Sequence, residues 1–277
     1  MKILLTNDDG IHSGGIIELA RKLTSVGNEV FVVAPRTEQS GISSAITFLR
    51  PLFPVTLGSS TESGDEMQGF SVDGTPADCT KLALFELCPF QPDLVISGIN
   101  GGLNAGTNVG YSGTVGGALV AATFNIPAMA ISLEFSSEMD FRGASEIACP
   151  LVEQYHMVDW PDRTVLNINL PTKALKGGAE VAVVPVEVNP LGYTFDRGHD
   201  PKGRPYFWSN NKPDPQPSPF ETDTQALKAG KITISPVSFD LNVASAMPRL
   251  REINRLAAVN RLAAVETEGE PIEGTAE

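Results

Sequence analysis

Cysteine is scarce in this 277-residue chain, with only Cys79, Cys88 and Cys149 present. An odd number without metal-type clustering offers neither a disulfide framework nor a thiolate metal site, and fits reduced thiols in a cytoplasm. Histidine is equally rare. His12, His156 and His199 lie far apart and none has a helical histidine partner, which argues against zinc. No run approaches the ~18 apolar residues that span a bilayer. The apolar run at the N-terminus is too short for the core of an export signal. Basic residues are in deficit: 20 Lys and Arg against 33 Asp and Glu give a net charge of -13, and the pI is near 4.7. That balance argues against a nucleic-acid-coating surface or an anionic-membrane binder. A small anionic substrate stays open, because one local cation reverses the field within a cleft. The expectation is a soluble, cytoplasmic protein with no membrane and no nucleic-acid polymer among its partners.

Familiar nucleotide loops are missing as well. There is no Gly-x-x-x-x-Gly-Lys-Ser/Thr, which argues against a Walker-type ATPase. The first strand runs into Asp-Asp-Gly instead of Gly-x-Gly-x-x-Gly, so a dinucleotide site is not expected. No Gly-x-Ser-x-Gly nucleophile elbow occurs.

What is present starts at Ile3-Leu-Leu-Thr-Asn-Asp-Asp-Gly10, a short apolar run ending in two adjacent carboxylates. It reads as a buried first strand delivering Asp8 and Asp9 to the carboxyl edge of a sheet, where open α/β folds place ligands. Asn-Asp-Asp-Gly is also ordinary turn chemistry. Two neighbouring acids repel unless something positive sits between them, and a divalent cation is the usual solution.

Hydrophobic content of 42% supports one large domain or a domain with an appendage. The spacing predicts strands at about 2–6, 29–33, 93–97, 127–133 and 165–170, with helices at 15–23, 76–87, 113–123 and 143–156. Thr75 and Pro76 form a plausible helix start. The alternation predicts a Rossmann-like, mostly parallel sheet flanked by helices, with the strand at 165–170 closing it. Residues 36–47 read as a Ser/Gly-rich loop and the turn-rich region continues to about 69. After residue 172 short strands (182–188, 193–195, 206–208) alternate with turns, followed by a proline-rich segment 212–219, a short helix at 222–230 and a strand at 231–236. This predicts an α+β elaboration with an extended hairpin that a partner subunit covers. Asn-Arg-Leu-Ala-Ala-Val occurs twice, at 254–259 and 260–265, and extends a surface helix from Pro248. The acidic tail after it reads as disordered. The expected division is 1–172 for the core and its site, 173–247 for the elaboration and oligomerisation hairpin, and 248–277 for the helix and tail.

Three loops leave the same sheet edge as Asp8 and Asp9. The first, Gln39-Ser-Gly-Ile-Ser-Ser44, offers the Ser40 hydroxyl, although serine-rich loops are common turns. The second, 97–110, carries three asparagines, five glycines and no charged side chain. Asn100 is its best-placed donor, since an amide carbonyl ligates hard cations. Left-handed turns account well for Asn104 and Asn108. The third, Tyr111-Ser-Gly-Thr-Val115, opens a helix whose free amides and Ser112 and Thr114 hydroxyls make a phosphate seat, or an ordinary N-cap. Asp8, Asp9, Ser40 and Asn100 together form an oxygen-only set of low charge, suited to one Mg²⁺ or Mn²⁺. His12 lies near the acids and reads as a polar loop residue, with a substrate contact or proton transfer as the alternatives.

These segments in this order resemble the SurE family of stationary-phase survival proteins, metal-dependent 5′/3′-nucleotidases. The resemblance rests on 3–10, 34–41, 74–78, 97–102 and 111–115, and continues through 125–132, 166–171, 200–208 and 222–230. It covers roughly residues 1–245. It implies metal ligands at Asp8, Asp9, Ser40 and Asn100, with Asp8, Asp9 and Asn100 as the catalytic set. Ser112, Gly113 and Thr114 would hold phosphate, while His12, Gly41 and Asn104 are candidate substrate contacts. It further implies hydrolysis of nucleoside monophosphates, and a homodimer or homotetramer that exchanges its C-terminal hairpin. Arg36 stands where an acidic residue often follows Ala-Pro, and 42–45 lacks a histidine many relatives carry. Both departures bear on substrate preference, not on the metal. Rival readings are an aspartyl-phosphate phosphatase, for which adjacent acids fit less well than Asp-x-Asp, and a non-catalytic nucleotide or sugar-nucleotide domain.

Overall fold

The computed structural model describes residues 1–58, 67–156, 158, 161–189, 192–212 and 218–255. In chain order these form β1 (Lys2–Thr6), α1 (Gly14–Ser25), β2 (Glu29–Pro35), β3 (Pro54–Thr56), β4 (Gly69–Val72), α2 (Pro76–Leu82), β5 (Leu94–Gly101), α3 (Gly113–Thr123), β6 (Ala128–Leu133), α4 (Phe141–His156), β7 (Thr164–Leu170), β8 (Val181–Val183), β9 (Gly192–His199), β10 (Pro205–Lys212), α5 (Asp223–Lys228) and β11 (Ile232–Ser238). Nine strands make one sheet in the order β3-β4-β2-β1-β5-β6-β7-β11-β8. β4, β2, β1, β5, β6 and β7 are mutually parallel. Strand order reverses between β1 and β5, and open α/β sheets bind ligands at the carboxyl ends of strands beside such a switch.

Period-two alternation along β1 sends its apolar side chains to both faces. Ile3 and Leu5 join Ile16, Leu19, Leu23, Ala148 and Val152 in the layer under α1 and α4. Leu4 joins Val95, Val115, Ala118 and Ala121 in the layer under α2 and α3. α3 comes close because its inner face is nearly bare. A Cβ on Gly117 would stand 3.2 Å from both Pro76 Cβ and Ser97 Oγ.

The expected Rossmann-like architecture is present, with four corrections. β7 does not close the sheet: β11 pairs antiparallel with it and β8 lies beyond β11. β3 lies inside the stretch read as turn-rich and β4 starts at its end, and three and four residues carry too short a pattern to stand out. Of the strand expected at 182–188 only Val181–Val183 forms. The helix expected at 76–87 is α-helical to Leu82 and π-helical from Ala83 to Leu87. Its start is as read, because Thr75 and Asp78 form a reciprocal capping box. The two short strands at 193–195 and 206–208 are the middles of β9 and β10, which pair from Gly192↔Lys212 to Pro205↔His199 as a separate two-stranded sheet. Part of the proline-rich segment, the second Asn-Arg-Leu-Ala-Ala-Val, most of the first and the acidic tail lie outside the described residues.

Two compact units emerge, Met1–Phe239 and Asp240–Glu277. The described part of the second holds a 3-10 turn at Ala244–Ala246 and is helical from 247 to 255.

The elaboration is tied to the glycine-rich loop by one buried acid. Asp223, 0% exposed, accepts the Gly106 amide through Oδ2 at 2.8 Å and the Glu187 and Thr224 amides through Oδ1 at 2.9 and 2.7 Å. Burial pushes its carboxyl up while these amides pull it down. Asp223→Ala strands two buried donors and a half-buried one, and urea unfolding at pH 7 is expected to show a loss of about 3 kcal/mol.

Candidate functional site

β1 ends in a tight turn that presents its two acids. Asn7 closes the turn by donating Nδ2 to the Gly10 carbonyl at 2.9 Å and to Ser13 Oγ at 2.8 Å. Gly10 adopts φ +97°, which an L side chain resists, and a Cβ there would lie 3.3 Å from the Thr37 backbone. The turn therefore packs on the loop that follows β2.

Asp8 is 4% exposed and Asp9 is half-buried. Thr114 Oγ1 donates to Asp8 Oδ1 at 2.5 Å, and the Gly101 amide donates to Asp9 Oδ2 at 2.9 Å. The Asp8 carbonyl accepts the Gln39 amide at 2.7 Å, which brings Ser40 to the same edge. A Cβ on Gly113 would meet Asp8 Cβ at 2.9 Å, the Gln39 carbonyl at 3.0 Å and Asp8 Oδ2 at 3.1 Å. Thus β1, the β2 loop, the end of β5 and the start of α3 converge on one point.

The electrostatics are unfavourable for the bare protein. Burial is the main cause that pushes the Asp8 carboxyl up to about 6; Asp9 adds to it, and the Thr114 hydroxyl and backbone amides oppose it. Asp9 is also raised, by burial and then by Glu38, against the Gly101 amide. Among the described residues neither acid pairs with a Lys or Arg. No group of three or more His, Cys, Asp and Glu suited to a metal occurs among them either. A cation here would draw on hydroxyl and amide oxygens as well as the two carboxylates, and the donors at hand are all hard oxygens. This fits Mg²⁺ or Mn²⁺.

The other donors are placed as follows. Ser40 is exposed and its hydroxyl donates to Glu38 Oε1 at 2.8 Å. Asn100 is half-buried and gives Nδ2 to the Gly102 carbonyl at 2.7 Å, leaving Oδ1 as its donor to a cation. Ser112 caps α3, accepting the Val115 amide at 3.1 Å. The Thr114 hydroxyl, read in the sequence as a phosphate contact, is turned onto Asp8 and fully buried. Asn104, read as a substrate contact, is 8% exposed and its amide nitrogen donates to Thr114 and Ser132. His12 and Gly41 are exposed. The 36–44 loop is stitched to the glycine-rich loop where Ser43 donates its amide to the Tyr111 carbonyl and its hydroxyl to the Gly110 carbonyl, both at 2.9 Å.

Sequence reasoning missed Asn167 and Asn169, which clamp the backbone of Asn104 from β7. Their signal was present: polar residues at alternate positions of a strand otherwise buried on both faces.

The family model described as Survival protein SurE matches residues 3–189. A 5′-nucleotidase SurE of Rhodopirellula baltica is 41% identical over 256 residues, 92% of this chain and 99% of that protein. One of Carboxydothermus hydrogenoformans is 42% identical over 247 residues, 87% of this chain and 91% of that protein. The crystal structure of the SurE protein from Aquifex aeolicus superposes with a TM-score of 0.77 at 30% identity, covering 92% of this chain and all of that one. The family model spans well over half of the chain and both relatives are more than 40% identical over most of their length: the chain belongs to the SurE family.

Proposed function

We propose that this protein is a metal-dependent phosphomonoesterase that hydrolyses nucleoside 5′-monophosphates, and 3′-monophosphates as well, to nucleoside and phosphate. The observation that carries the reading is the convergence of two uncompensated carboxylates with the loops bearing Ser40 and Asn100 and with the first turn of α3. The 5′-nucleotidase names of the Rhodopirellula and Carboxydothermus relatives support it.

Asp8, Asp9, Ser40 and Asn100 hold one cation per subunit. When bound, Mg²⁺ or Mn²⁺ supplies the charge that neutralises the phosphate and makes a water a stronger nucleophile at neutral pH. Asp9, the more exposed acid, orients the attacking water in line with the leaving oxygen. The free amide of Gly113, at the positive end of α3, and the Ser112 edge receive phosphate oxygens as charge spreads over them. His12 and Gly41 flank the substrate.

The working form is a cytoplasmic homodimer or homotetramer. β9 and β10 expose Phe195, Phe207 and Trp208 in a sheet of only two strands, which is marginal alone.

Phosphate release from a panel of 5′- and 3′-nucleoside monophosphates, with Mg²⁺, Mn²⁺ or chelator, tests the reading. Release from the 5′-monophosphates should vanish with chelator and return with added cation. Acid quenching during turnover should trap no phosphoprotein. A hydroxylamine-labile phosphoprotein would instead identify an acyl phosphate, and no release with either cation would remove the proposal.

A further inference from the structure

Thr114 has one hydroxyl proton, and the structure dictates where it goes. Asn104 Nδ2 lies 3.2 Å from Thr114 Oγ1 and 2.9 Å from Ser132 Oγ. An amide nitrogen has no lone pair to offer, so at this contact the threonine oxygen must accept. Its own proton is then directed at Asp8 Oδ1, 2.5 Å away.

Asn104 is itself immobilised from β7. Its amide donates to Asn169 Oδ1 at 2.8 Å, and its carbonyl accepts Asn169 Nδ2 at 3.0 Å and Asn167 Nδ2 at 2.7 Å. Asn167, Asn169, Ser132 and Thr114 are all fully buried. The seam uses two residues some 63 and 65 positions away to fix one loop residue. Asn167 Oδ1 is left without a partner, but the Asn104 amide, carbonyl and Nδ2 are all paired, and a buried residue held at each of these groups is fixed in geometry.

We propose that Asn104, clamped by Asn167 and Asn169, is a positioning residue for the cation site. By orienting the Thr114 hydroxyl it commits Asp8 Oδ1 to a hydrogen bond and leaves Asp8 Oδ2 as the oxygen for the metal. The inference rests on the cation reading above and goes beyond it, since none of these three asparagines would touch metal or substrate. Groups that orient a metal ligand from behind set affinity by about 10- to 100-fold.

The test is a calorimetric titration of Mn²⁺ alone into the full chain, with urea unfolding to confirm that each variant folds. Asn104→Leu should weaken Mn²⁺ binding at least tenfold, and Thr114→Val by as much or more. The double variant should bind no more weakly than Thr114→Val, because Asn104 acts through that hydroxyl. Asn104→Asp keeps the backbone clamp but replaces the donor with an acceptor, so the hydroxyl proton turns away from Asp8. It should lose affinity despite its added negative charge, and it stands in if the leucine variant does not fold. Unchanged affinity in Asn104→Leu or Asn104→Asp overturns the proposal, as does a double variant whose loss is the product of the single losses. A parent chain that binds no Mn²⁺ overturns the cation reading itself, a different result.

Discussion

Replacing Asp8 by Asn should abolish catalysis and, at neutral pH without metal, leave a more stable protein than its parent. Phosphate release is expected to fall about a thousandfold, since on the proposed reading the variant loses an anionic ligand of the cation that gathers transition-state charge. The stability change follows from linkage. Burial and Asp9 hold the folded-state carboxyl near 6 against an ordinary 3.8. Between those values the unfolded chain has released its proton while the folded chain keeps it, so stability falls as pH rises. A shift of about two units corresponds to about 3 kcal/mol, fully lost above pH 7. Asn carries no such charge and still offers Oδ1 to Thr114. In the presence of chelator, the stability gap between Asp8→Asn and parent should therefore widen by about 2 kcal/mol from pH 4, where the unfolded carboxyl is already largely ionised, to pH 7. Excess Mn²⁺ should close the gap by stabilising only the parent. Urea unfolding at the two pH values, with and without Mn²⁺, measures all of this. A gap that narrows with rising pH would show that Asp8 is not an uncompensated buried acid.

The same residues explain why so much of the candidate site was legible in the sequence. β1 and both acids lie within eight consecutive residues, so one glance at Ile3–Gly10 captures the strand, its end and its chemistry. α3 runs from Gly113 to Thr123 as read, because its cap, its small inner face and its stop are all local. What was not legible depends on pairing across the chain. β11 was recognisable as a strand, but nothing within 231–236 says that it docks antiparallel on β7. The amide of Gly101 on Asp9 spans 92 positions and the Thr114 hydroxyl on Asp8 spans 106. A hydroxyl beside a helix start looks the same in sequence whether it will face a phosphate or a carboxylate. Only the close approach of α3 to β1 decides it, and Gly113 makes that approach possible.

Gly113→Ala isolates that approach. In an open helix the change would be favourable by up to about 1 kcal/mol, since alanine is the better helix former. Here the added methyl would stand 2.9 Å from Asp8 Cβ and 3.0 Å from the Gln39 carbonyl. Neither is the free end of a flexible chain: the Gln39 backbone is hydrogen-bonded to Asp8 at 2.7 Å, and Asp8 is held by Thr114. Overpacking of this kind costs about 1–3 kcal/mol, so the helix gain offsets part of it and the protein should still fold. The catalytic effect should be much larger. Moving Asp8 and the β2 loop apart by even a fraction of an ångström separates the donors on which the site depends, and kcat/KM should fall about 100-fold. Gly110→Ala is the matching control: it lies in the same glycine-rich run, yet a Cβ there meets nothing within 4 Å. Steady-state kinetics on a nucleoside 5′-monophosphate, paired with urea unfolding, separates the two effects. Wild-type kinetics in Gly113→Ala would mean that the start of α3 and the end of β1 need not touch for the reaction to proceed.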